Sequence, residues 1–183
     1  MCLLLPLEAT AGGLTLGDKE GSGAALYGFA RLDTIFSDTR LNHPQFPNFV
    51  PFAADKEKEL DMHGRLTRLG LKFWSGKIDE GISVDGKLEL DFQGGGSESR
   101  ANPRMRHAYG ALHINNFSLL AGQTWHLVSQ MYPAANSDSL MWNAGNTGDR
   151  AAQIRASYKM AVGENGSVGI QAAAVLPNVV DKK

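Results

Sequence analysis

The sequence predicts an all-β fold: an antiparallel up-and-down transmembrane β-barrel, of which this chain supplies about seven strands. Three observations predict it. Polarity alternates with period two from residue 24 onward, the signature of strands with one apolar and one polar face. The alternating runs last about nine to thirteen residues; soluble strands average about five or six, and a tilted bilayer-crossing strand needs about nine to eleven. Finally, the links between runs are long and short in strict alternation, which gathers every long link at one rim of an up-and-down sheet.

The elements follow in order. Residues 1–23 read as an N-terminal tail or signal remnant: Met1-Cys2-Leu3-Leu4-Leu5-Pro6-Leu7 is apolar and Ala9-Thr10-Ala11 has a small-x-small form. The first basic residue is Lys19, so no charged segment precedes the apolar run, and an unstructured N-terminus is the alternative. Residues 24–183 form the barrel portion. The first run, 26–36, carries Arg31 and Asp33 on one face; the second, 66–74, sets Leu69, Leu71 and Phe73 against Arg68 and Lys72. The clearest run sets Ile82, Val84, Gly86, Leu88, Leu90 and Phe92 against Ser83, Asp85, Lys87, Glu89 and Asp91. Runs 104–114 and 117–127 read as strands whose faces do not separate. From Arg150, Ala152, Ile154, Ala156, Tyr158, Met160 and Val162 oppose Gln153, Arg155, Ser157 and Lys159, and 168–176 completes the series. Between runs, 37–60 (with Pro44, Pro47 and Pro51), 93–103 and 129–149 are long; 75–81, Asn115-Asn116 and 163–166 are short. With the N-terminus at the short-turn rim, Tyr27, Phe73, Trp74 and Phe117 fall near that rim and Phe36, Phe92 and Trp125 near the other, as two interfacial girdles would.

Composition removes several classes. Lys+Arg 18 against Asp+Glu 19 gives a net charge of −1, without the basic footprint of a nucleic-acid binder. One cysteine excludes an intramolecular disulfide and a cysteine-based zinc site. His43, His63, His107, His113 and His126 show no ligand spacing; His107 and His113 share a face but lie about 20 Å apart along an extended strand. Asp18-Lys19-Glu20-Gly21-Ser22-Gly23 starts like a calcium loop, yet the twelfth position is Phe29 rather than Glu. No P-loop, GxSxG or GxGxxG occurs. The expectation is therefore no enzyme, no cofactor and no metal.

Five segments carry a resemblance. Leu26-Tyr27-Gly28-Phe29-Ala30-Arg31-Leu32-Asp33 resembles the opening strand of Gram-negative outer-membrane porins, and Arg68-Leu69-Gly70-Leu71-Lys72 resembles the second. Leu88-Glu89-Leu90-Asp91-Phe92, Arg106-His107-Ala108-Tyr109-Gly110 and Leu120-Ala121-Gly122-Gln123-Thr124-Trp125 follow in the order of the DcaP-like branch. The similarity runs over roughly residues 24–177; no single motif is specific, but five in order at strand spacing are. The resemblance implies a homotrimeric outer-membrane diffusion channel of about sixteen strands per barrel, passing small anions such as dicarboxylates, with its third extracellular loop folded into the lumen. Here that loop is 129–149, with Asp138 and Asp149 as its acids. Seven strands cannot close such a ring, and the chain ends Val179-Val180-Asp181-Lys182-Lys183 rather than in a strand with a terminal aromatic, so it is expected to be an N-terminal portion.

Placing the apolar faces against outer-membrane lipid assigns Arg31, Asp33, Arg68, Lys72, Asp85, Glu89, Asp91, Arg155 and Lys159 to the pore lining. Arg104 and Arg106 join them, because an arginine facing hydrocarbon costs about 2–4 kcal/mol at the midplane. Acids concentrate on one strand and bases on its neighbours. Two uses stay open: a transverse field that draws in carboxylates, or ion pairs between adjacent strands, Arg68 or Arg106 with Glu89 or Asp91, that stiffen the wall. A soluble lipocalin-like binding module and a structural barrel without channel activity are the alternatives. The first differs from the channel in what wets each face of the sheet, the second in whether its interior conducts.

Overall fold

A computed structural model describes residues 2–18, 20–41, 57–97, 100–127, 150–164 and 166–176. They form strands β1 (Cys2–Gly17), β2 (Gly23–Ser37), β3 (Glu59–His63), β4 (Arg68–Trp74), β5 (Ile82–Asp91), β6 (Gly96–Ser97), β7 (Arg100–Ala101), β8 (Arg104–Ile114), β9 (Phe117–Trp125), β10 (Arg150–Val162) and β11 (Gly166–Val175). One sheet runs β1-β2-β4-β5-β8-β9-β10-β11, with β3 paired to the far end of β2; β6 and β7 make a separate hairpin. All pairings are antiparallel and, apart from the short β3, β6 and β7, the sheet order is the chain order, so the sheet is an up-and-down meander. The all-β, up-and-down expectation holds.

Two expectations of extent are corrected. The segment expected as a tail contains β1, paired with β2 from Cys2↔Ser37 to Gly17↔Gly23. An unbroken apolar run suits a strand as well as a signal core. The second expected strand, 66–74, is β4, and it is preceded by an unexpected short strand, β3, across a turn in which Thr67 N donates to Gly64 O (3.0 Å). Inside this break the buried Arg65 guanidinium donates to Gly95 O and Ser97 O (2.6 Å each), fixing the β6–β7 hairpin at the long-link rim.

Rim asymmetry follows from chain order. The strand ends flanking the short links 18–22, 75–81, 115–116 and 163–165 lie at one end of the sheet, and those flanking 38–58, 92–103 and 126–149 at the other. Asn115, at φ 50°, supplies the left-handed residue that the tight β8–β9 turn requires.

Burial is inverted relative to a soluble domain. Arg31, Asp33, Glu89, Asp91, Arg106 and His107 are buried, whereas Leu26, Leu88, Ile154 and Ile170 are 53%, 45%, 58% and 61% exposed. Buried apolar residues among those described are few, Ile35, Leu41, Leu66, Ala111 and Ala151. Extensive contacts join sheet neighbours only, so no second layer of described chain covers the apolar face.

Aromatics divide by face. Phe73 and Phe117 near the short-turn rim and Phe36 near the other stand exposed on the apolar side. Tyr27 is a correction to the girdle: its strand position puts it with Phe29 and Arg31 on the polar face, where its hydroxyl donates to Glu89 Oε2 (2.6 Å). Gly70, directly across from Tyr27, makes room; a Cβ there would lie 2.1 Å from Tyr27 Cζ. Gly70→Val is therefore expected to expel the ring and destabilise the chain by about 1–3 kcal/mol, the usual range for overpacking. The urea midpoint of the refolded protein in micelles checks this, with Gly110→Val, where a Cβ meets nothing closer than 4.0 Å, as the comparison.

Candidate functional site

Register places the predicted charges on one face. Phe29↔Arg68, Tyr27↔Gly70 and Ala25↔Lys72 link β2 to β4, and Gly70↔Glu89, Lys72↔Lys87 and Trp74↔Asp85 carry that face onto β5. It continues through Glu89↔His107 and Asp91↔Arg104 on β8, then through Ala111↔Leu120 and Leu120↔Arg155 to β10, where Lys159 follows by alternation. All eleven strand positions expected in the lining thus share a face: Arg31, Asp33, Arg68, Lys72, Asp85, Glu89, Asp91, Arg104, Arg106, Arg155 and Lys159. Asp138 and Asp149 lie outside the described residues.

The centre of the face is a carboxylate pair on β5. Arg104 grips Asp91 with both Nε (2.9 Å to Oδ1) and Nη2 (2.6 Å to Oδ2). Arg106 bridges the two acids, Nη1 to Asp91 Oδ2 at 2.7 Å and Nε to Glu89 Oε1 at 3.0 Å. Glu89 also receives Lys87 Nζ at 2.9 Å and the Tyr27 hydroxyl, with Arg68 Nε at 3.6 Å. Charge-assisted bonds of this kind are the strong ones, and the planar guanidinium fork suits two acids at once. Of the two uses left open by the sequence, cross-strand pairing is what the geometry contains: Arg68 and Arg106 with Glu89, Arg104 and Arg106 with Asp91.

A register shift between Glu89 and Leu90 makes this possible. Glu89 pairs with His107 and Leu90 with Met105, so Arg106 is an extra residue on β8. A bulge of this kind turns two successive side chains toward the same side. Arg106 and His107 are both buried, and His107 Nδ1 pairs with Thr124 Oγ1 (3.0 Å).

Away from that pair the charges differ in partner. Arg31 closes onto Asp33 Oδ1 through Nε (2.9 Å) and Nη2 (2.7 Å) within β2, and His113 Nε2 pairs with Asp85 Oδ1. Arg155 has neutral partners: Gln153 Oε1 (2.8 Å) and the carbonyl of Trp125. Lys159 is exposed and, among the described residues, has no ion pair. Counting Lys87, the β2, β4, β5, β8 and β10 positions of this face hold eight bases against four acids, and register adds Glu59 and Asp61 from β3 and Glu8 from β1, so bases and acids nearly balance. Reading the sequence missed Tyr27, His107, Thr124 and Gln153 as members of the network; Lys87 was visible on the polar face of its strand.

No family model and no curated protein matches the chain. Among solved structures it is similar to the crystal structure of the outer membrane channel DcaP of Acinetobacter baumannii, with a TM-score of 0.63 and 29% sequence identity. The match covers 86% of this chain and 43% of that one, so the chain spans less than half the length of the channel it resembles. The fold is porin-like, with the charges of the sheet gathered on one side.

Proposed function

We propose that the chain forms part of the wall of an outer-membrane porin that lets small hydrophilic anions, dicarboxylates among them, diffuse passively. One observation carries the reading: a single face gathers the charged side chains of the strands in place of an apolar core, while the opposite face exposes leucine and isoleucine. Charges along a water-filled wall set permeation by sign, and among the described residues Lys72, Arg155 and Lys159 are bases of this face with no carboxylate partner. No bond is made or broken in such a step, so no catalytic set is assigned. Among the described residues β1 and β11 have one neighbour each, so the ring of about sixteen strands takes further strands beyond these. Assembly as a homotrimer in a Gram-negative outer membrane rests on the porin resemblance.

Recovery in the outer-membrane fraction, heat-modifiable gel mobility and reversal potentials in a salt gradient across a planar bilayer test the reading. The expected result is anion preference, moved toward cations by Lys159→Glu and by Arg155→Glu, with conductance retained. Arg106→Glu serves poorly, because it breaks the Glu89–Asp91 bridge as well as changing the charge. A detergent-free soluble monomer, or cation preference in the wild type, overturns it.

A further inference from the structure

Bases on this face fall into two kinds. Arg104 and Arg106 are locked onto Asp91 and Glu89, their guanidiniums bonded at 2.6–3.0 Å. Lys72 is different. It stands directly opposite Lys87 in the β4–β5 register, and like charges facing each other across strands repel. Both ammonium groups lie over the ring of Tyr27, 5.0 Å and 5.6 Å from its centroid. Lys87 has Glu89 at 2.9 Å, whereas Lys72, among the described residues, has the ring and no carboxylate. Lys72 is exposed, so water or a solute reaches it.

We infer that the Lys72–Lys87 step beside Tyr27 is a binding subsite for a compact dianion, a short dicarboxylate or hydrogenphosphate. The inference rests on the reading of this face as solvent-lined and deepens it by naming the groups that hold the solute. A dianion relieves the repulsion between the two lysines, and a monocarboxylate offers charge for one of them. Lysine is a flexible point charge that can turn from ring to solute, whereas the paired arginines hold the wall in shape. Tyr27 is fixed by its bond to Glu89 and keeps both ammoniums at one place. Discrimination between dianions and monoanions is then a property of the lysines and not of the more numerous arginines.

The test is calorimetric titration of the full chain refolded in detergent micelles with succinate, inorganic phosphate and acetate. Succinate or phosphate is expected to bind at least tenfold tighter than acetate, and the arm that binds names the source of the charge. Lys72→Met is expected to weaken that binding at least tenfold, and Lys159→Met less than twofold. Heat-modifiable mobility reports folding of each variant, with Lys72→Gln as a second neutral replacement at this exposed position. Unchanged binding in both Lys72 variants, equal affinity for acetate, or no dianion binding by the wild type overturns the subsite. A chain that inserts and conducts but binds no dianion removes the subsite alone; a chain soluble without detergent removes the channel.

Discussion

Glu89→Gln is expected to cost about 3 kcal/mol of stability in micelles, at the lower end of the loss seen when one member of a buried ion pair is removed. The amide keeps the shape but withdraws the charge facing Arg106, Lys87 and Arg68, and the Tyr27 hydroxyl loses its charged acceptor. Urea unfolding followed by tyrosine and tryptophan fluorescence measures it. Adding Arg106→Met to Glu89→Gln is expected to recover part of the loss, since the arginine is then no longer buried against a neutral amide. Simple addition of the two single losses would mean that the pair is not coupled, and the description of Glu89 as a hub would fail.

The second large effect concerns the other face. Ile154→Arg, near the middle of β10, is expected to cost about 2–4 kcal/mol if its side chain meets hydrocarbon. The same change at a water-exposed position stays within about 0.5 kcal/mol. Ser157→Arg on the polar face of the same strand is the control. The folded, heat-modifiable form should fall more than tenfold for Ile154→Arg and remain for Ser157→Arg. Equal behaviour of the two would show that lipid does not wet the apolar side.

Much of this arrangement is legible in the residues. The β5 run Ile82 to Phe92 separates charge from hydrocarbon so cleanly that its faces follow directly from period two, and the same holds for β10. β8 resists, because one residue too many sits opposite Glu89: Arg104 and Arg106 share a face with each other, His107, Tyr109 and Ala111 share it as well, and no single parity describes both sets. β9 resists for another reason, as Leu120 and Gly122 occupy the polar side where alternation leads one to expect charge. Tyr27 looks like a girdle residue until its register partner, Gly70, shows the space it fills. β1 was hidden because a run of leucines reads alike in a leader and in a strand; its pairing with β2 is visible only in the register.

The extra residue in β8 has a consequence for how this protein can change over time. A pleated strand keeps a two-beat phase, and at Arg106 the phase slips by one beat. Inserting or deleting a single residue on either side of that point would swap hydrocarbon-facing and water-facing side chains along a whole arm of the strand. The loops at the long-link rim can lengthen or shorten freely by comparison, so length variation should collect there while the spacing from Arg104 to Ile114 stays fixed.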